Sequence, residues 1–555
     1  MKIVKREPTK NVRSLILWIL AVIFILAVIL VTAREGVEKQ LANASRTAKS
    51  LWLSPIEENI PVISIDLPFT EYERILQQRD SALQTGVVLS GERDYARADL
   101  RFEDQTIPVR IRLKQGETDH LGSDDKWNFE IRTGDIRVLD GLEQFFLIDP
   151  MDNNGLNEAA FLRALEREGL NVGRYEFVQL FLNGEDKGLY ALQEGFDNNV
   201  LVRNGQLAGV IVGYNTDTYW ESLSYVGGDL ERLDSDPITN TSKFDFRYFD
   251  VDPELDPLLA DDEQIKWQFE RAVSLLRGVQ SGELRPSDVF DVSQYGRFLA
   301  MIDLWGATQA TSLLNLRYFY NAELDRLQPV AMSGEPLVNS VRLQLSTTYF
   351  DTDIQSAYAH SLAEAITPDY LAAMQKDLQE NAALDQAALS IEIDQELPWE
   401  RLTQRSEQLS QSLHPQQPVS THLGSPTLAQ DGIIQVDVAN VTNFPVEILG
   451  FDIDGATFLE MDPEWVVKNE EELFIGQNGE IFIRASNPFE TRPLQYVRFH
   501  LPLHLILEHD KELNFLQEPL IQVATRLAGL PNDILVPARA GYPGTLPEQI
   551  NSPDQ

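Results

Sequence analysis

The chain of 555 residues contains no cysteine. That absence removes disulfides, thiolate metal sites and cysteine nucleophiles together, leaving only carboxylate, amide or imidazole groups to hold a metal. Basic side chains are scarce as well: 46 Lys and Arg face 86 Asp and Glu, a formal net charge of −40. So acidic a surface repels phosphate backbones and argues against a nucleic-acid partner. Neither a Gly-x-Ser-x-Gly elbow nor a Walker-type glycine loop occurs, so a serine hydrolase and a P-loop nucleotidase find no support. Long apolar runs are missing too, with one exception at the N-terminus.

What is present is unevenly charged. Lys2, Lys5, Arg6, Lys10, Arg13 and Arg34 stand against Glu7 alone in the first 34 residues, a net of +5 that leaves −45 for the remainder. From Ser14 to Thr32 the chain runs 19 residues without a charge. At about 1.5 Å per residue this crosses most of a ~30 Å hydrocarbon core. We expect a transmembrane helix over 14–32 after a cytoplasmic segment over 1–13, favoured over a cleaved signal peptide because the run is long and ends without an Ala-x-Ala site. Positive charge on the short N-terminal side predicts a single-pass plasma-membrane protein, N-terminus inside, with the lipid bilayer as partner and the acidic bulk extracytoplasmic.

Outside the anchor the pattern is α+β. A helical stalk over 35–58 precedes a strand at 60–68, an amphipathic helix ending at Gly86, strands at 96–102, 106–113 and 126–132, and a helix stopped by Gly169. A hairpin over 175–194 turns at Asn183-Gly184. Residues 228–263 carry twelve acids, three basic residues and three Asp-Pro breaks, which reads as a solvated insertion. Helices are expected at 262–280, 291–312 and 355–382, then a helix and linker over 386–426. Short alternating strands over 427–540 suggest a β-sandwich, and 541–555 a disordered tail.

The densest polar constellation lies between two strands, from Arg112 to Trp127. It contains Gly116, Asp119, His120, Gly122, Asp124 and Asp125, and ends at Lys126, whose long ammonium arm could reach back to a phosphate. A hairpin tip with solvated charges accounts equally for its composition. Asp119 and His120 are candidates for a metal pair, although a histidine bonded within its own loop is favoured because zinc needs three or four converging ligands. The alternating acids Asp250, Asp252, Glu254 and Asp256 lack the glycine and closing glutamate of a calcium loop. Tyr318-Phe319-Tyr320 reads as core rather than a stacking platform.

The string RLKQGETDHLGSDDKWNFEI resembles a segment of membrane-anchored bacterial members of the CotH kinase family, named for spore coat protein H. LNGEDKGLYALQE over 182–194 is similar to that family's hairpin, and residues 290–331 are similar to its helix, metal-binding Asn and following strands. The resemblance spans residues 60–385. It implies a divergent protein-kinase-like fold that uses ATP with Mg²⁺ or Mn²⁺ to phosphorylate secreted or surface proteins. Lys126 then matches the lysine at the ATP phosphates, Glu194 the acid ending the hairpin, and Asn315 the metal-binding amide.

Two departures stand out. Phosphoryl transfer needs an acid that orients the hydroxyl and a carboxylate on the metal. Thr308–Thr311 and Gln328–Gly334, where the family carries them, hold neither. Asp303, Glu335, Asp351 and Asp353 are the candidates for relocated acids. The reading from sequence is therefore a degenerate kinase fold serving as an envelope binding or scaffolding module for unknown surface proteins, with an active Mg-ATP-dependent kinase as the alternative.

Overall fold

The computed structural model describes residues 60–540 apart from 123–125, 135–140, 231, 233–248, 254–261, 338–350, 425–431, 486–493, 506–520 and the positions 153, 197, 208, 454, 456, 470, 471, 477, 478 and 503. The expected anchor, stalk and tail and most of the expected acidic insertion lie outside these residues. Among the described residues no helix is long and apolar enough to cross a membrane.

The principal elements of the first half are β1 (Val62–Asp66), α1 (Phe69–Thr85), β2 (Ala96–Phe102), β3 (Gln105–Leu113), β4 (Phe129–Arg132), β5 (Gln144–Ile148), α2 (Gly155–Arg167), β6 (Asn171–Val172), β7 (Tyr175–Leu182) and β8 (Glu185–Glu194). Strict alternation in β2 and β3 buries Ala96, Ala98, Leu100, Ile107, Val109 and Ile111 on one face. Seven strands in the order β1-β2-β3-β4-β5-β8-β7 close into a barrel. Closure is parallel, Val62 pairing with Gln179 and Ile65 with Leu182. Helix α1 seals the apolar interior with Ile75 and Ala82, and its buried Gln78 accepts from Leu113 N–H at 3.0 Å.

A second sheet is built from β6, β9 (Ile211–Tyr214), β10 (Val251–Pro253), β11 (Arg317–Asn321) and β12 (Arg326–Ala331), in the order β10-β9-β11-β12-β6. Tyr318, Phe319 and Tyr320 are buried within it. Helices α3 (Glu263–Ser281), α4 (Val292–Trp305), α5 (Thr352–Ala365), α6 (Pro368–Leu389) and α7 (Trp399–Leu413) complete this half. The single helix expected at 355–382 is two, because Pro368 lacks an N–H and starts α6, capped by the Thr367 side chain. The helix expected to 312 ends at Trp305, where Gly306 takes the left-handed conformation.

The stretch expected as a helix and linker over 386–426 is the next part of the chain. It contains α7, with buried Leu402 and Leu413, and strand β13 (Val419–Leu423), which pairs with β14 (Ile433–Asn440). Its polar residues are the outward face of a helix. Two sheets follow. One runs β16-β19-β14-β13-β22, with β16 (Val466–Lys468), β19 (Val497–Pro502) and β22 (Arg539–Ala540). The other runs β17-β18-β15-β20-β21, with β15 (Val446–Ile453), β17 (Leu473–Ile475), β18 (Ile481–Ile483), β20 (Ile521–Leu527) and β21 (Asp533–Pro537). Phe451 of one meets Phe499 of the other edge to face, with centroids 5.6 Å apart. Tyr358 of α5 stacks on Phe444 at 5.6 Å, so one apolar core runs from the helices into these sheets.

Candidate functional site

Lys126 stands just before β4, where the polar loop re-enters the barrel. Its ammonium donates to the Leu189 carbonyl at 2.8 Å and to Glu392 Oε2 at 2.6 Å, lies 3.9 Å from Asp149 Oδ1, and sits over the Tyr190 ring at 5.6 Å. The second oxygen of Glu392 accepts from Leu189 N–H at 2.9 Å. This approach needs the β-bulge between Asp186 and Gly188. Gly188 has φ +82°, and a Cβ there would stand 2.1 Å from Glu392 Oε1.

An acidic turn borders the lysine. Strand β5 delivers Asp149 and Asp152, and Asn128 locks the turn: its Oδ1 accepts from Asp149 N–H at 2.8 Å and its Nδ2 donates to Asp152 Oδ2 at 2.6 Å. Burial pushes the Asp149 carboxyl up, against the lowering influence of Lys126. His120 Nδ1 lies 3.8 Å from Asp152 Oδ2, and burial pushes the imidazole down, so it is neutral near pH 7. Its principal neighbouring carboxylate is Asp152, while Asp119 is exposed at the start of the turn. Lys114, on the other side, is pushed down by burial and held up by Glu130, Asp152, Glu335 and Glu117.

The exit of β12 is held by α2. Buried Glu158 of α2 accepts from Gly334 N–H and Glu335 N–H, each at 2.9 Å, one per oxygen. Glu335 is held at φ +47°, a left-handed conformation rare outside glycine. Burial and then Glu117 push its carboxyl up, and Lys114 pulls it down.

Among the described residues, neither Glu194 nor Asn315 is a hydrogen-bond or ion-pair partner of Lys126. Glu194 lies five residues beyond Leu189 along β8, about 16 Å at the ordinary rise of a strand. It is buried against Arg203 and accepts from Arg174 N–H at 2.7 Å. Asn315 lies in the turn before β11 and donates through Nδ2 to the Gln309 carbonyl at 3.2 Å, with no carboxylate among its hydrogen-bond partners in the described residues. Three of the four relocated-acid candidates have structural employment. Asp303 is buried and accepts from Arg405 Nη2 at 2.8 Å and Tyr358 hydroxyl at 2.5 Å. Asp351 caps α5 and accepts from Ser287 N–H at 3.0 Å, and Asp353 lies in that helix's first turn.

The resemblance implies ATP and a divalent metal. Among the described residues no three His, Asp or Glu side chains converge to hold a metal ion. Two carboxylates already surround the one ammonium at Lys126, which with all three ionised gives a local charge of −1 that opposes a polyphosphate.

Sequence reasoning missed Glu392, Asp149, Asp152 and Glu158. The run Asp149-Pro-Met-Asp152 directly after an apolar strand was a usable signal for the acidic turn. Nothing in the sequence flags Glu392, 266 positions from its partner.

No curated protein matches the chain. Residues 120–330 match the family model described as CotH kinase protein. The matched span contains His120, Lys126, Glu194, Asn315 and all of the second sheet but Ala331, and stops short of Glu335 and Glu392. Across residues 120–330, then, this chain carries a domain of the CotH kinase family.

Proposed function

We propose that the protein is a membrane-anchored, extracytoplasmic member of the CotH kinase family whose cleft binds rather than catalyses. In this reading residues 14–32 tether an acidic envelope module, and the two C-terminal sheets form a β-sandwich that offers a second contact surface. The observation that carries it is the state of Lys126, neutralised by Glu392 and flanked by Asp149. Phosphoryl transfer depends on positioned cations and metal-held carboxylates around the phosphates, and the two sequence positions that would supply the acids hold none. A binding cleft needs only its shape and its donors.

An active kinase is the second reading, favoured by one observation: Lys126 is gripped by a buried glutamate, as kinases hold their phosphate-binding lysine. The test is incubation of the full chain with labelled ATP and Mg²⁺ or Mn²⁺ beside Lys126→Ala, with folding of both verified by melting. Label that enters the protein or an added substrate and vanishes in Lys126→Ala would overturn the binding-module reading. Absence of transfer from a folded protein supports it.

A further inference from the structure

Between α6 and α7 the chain runs from Ser390 to Pro398 without helix or strand, and this segment carries Glu392 to Lys126. Two side chains pin it. Glu392 bridges Lys126 Nζ and Leu189 N–H, and Gln395 Oε1 accepts from Leu156 N–H, in the first turn of α2, at 3.1 Å. Ile393 and Leu397 rest half-buried on the core. The Glu392 carboxylate is 9% exposed, and each of its oxygens meets one donor.

An ammonium at 2.6 Å and a backbone N–H at 2.9 Å, the latter presented by a glycine bulge, make a seat for an oxyanion. Neither donor belongs to the segment that fills it. Resting on the binding reading above, we propose that residues 390–398 form an internal strap. Glu392 is a built-in anion seated on Lys126 and Leu189, and an external phosphate-bearing or carboxylate ligand enters only when the strap lifts. Charge supports the competition. While Glu392 and Asp149 both flank Lys126 the seat is already over-neutralised, whereas lifting the strap leaves one ammonium, one N–H donor and only Asp149 opposing them. Gln395 sets how readily the strap lifts without touching either donor.

The probe is inorganic pyrophosphate, titrated calorimetrically into the full chain and its variants at low ionic strength. Glu392→Ala binds pyrophosphate about tenfold or more tightly than the parent, since a like charge at hydrogen-bond range is removed. The double variant Lys126→Ala/Glu392→Ala loses that gain. If Glu392→Ala does not fold, Glu392→Gln, which keeps the shape and an acceptor for Leu189 N–H, reads the same effect. Gln395→Ala gives a smaller gain in the same direction. Unchanged or weaker binding in the folded Glu392 variants overturns the proposal, and so does a gain that survives the loss of Lys126. If Glu392 instead positions the lysine as in an active kinase, its removal lowers binding. Phosphate transfer is a separate readout, so failure of the binding-module reading and failure of the strap are told apart.

Discussion

Glu158 lies beneath Glu335, and its two carboxylate oxygens accept from the consecutive N–H groups of Gly334 and Glu335 at 2.9 Å each. The pair is a floor and a lip. One fully buried side chain on α2 fixes the turn that leaves β12, including the left-handed backbone at Glu335. Burial is the largest influence on Glu158 and raises its pKa to about 8, against the lowering effect of the two N–H donors. An acid whose folded value is raised contributes stability fully below its ordinary 4.5 and loses it as pH climbs toward 8. Stability therefore falls across that window by at most about 1.4 kcal/mol per pH unit. Glu158→Gln flattens this part of the profile in chemical denaturation. Identical profiles for parent and variant would refute the assignment.

Asp303 on α4 and Arg405 on α7 form a buried pair, their side chains 8% and 11% exposed, with Tyr358 of α5 completing the carboxylate's contacts. Removing one partner strands a buried charge. Arg405→Ala is expected to cost about 3–5 kcal/mol, and Asp303→Asn a comparable amount. The double variant should lose less than the sum. Additive losses in urea melts would show that the two residues act separately.

Gly296 lets α4 and α5 touch. A Cβ at this position would stand 2.6 Å from the Ala357 Cβ and 2.7 Å from its carbonyl carbon, which belongs to helix backbone and cannot swing aside. Gly296→Ala gains helix propensity but forces the helices apart, for a net loss of about 1–3 kcal/mol. A rise in melting temperature would contradict the close approach.

Asn183 holds φ +51° at the β7–β8 turn while its Oδ1 accepts from Leu67 N–H at 2.6 Å. Asn183→Ala loses both the tolerance of that conformation and the bond, about 2 kcal/mol together. Asn183→Gly keeps the conformation and loses only the bond, so its melting temperature should lie between those of Ala and parent.

Local pattern made much of the fold legible. Period-2 alternation located β2 and β3, Asn183-Gly184 located the β7–β8 hairpin, and Gly86 marked the end of α1 within one residue, because these depend on neighbours in the chain. Lys126 was also visible, standing at the mouth of a polar loop and carried there by a family string. Barrel closure through β1 and β7, the split of α5 from α6 and the continuity of the core through α7 were not read. Closure and continuity join segments far apart in sequence, and pattern carries no range.

The sequence by itself determined the charge split, the lack of thiol chemistry and the missing acids at Thr308–Thr311 and Gln328–Gly334, since these are matters of which residues exist. The tertiary structure decided what the remaining acids do. Asp303 and Asp351 are consumed by Arg405, Tyr358 and helix-capping N–H groups, while Glu392 is carried to Lys126 from 266 positions away. A carboxylate's role follows from its partner, and only folding assigns the partner, because desolvation makes an unpaired buried charge too costly to keep.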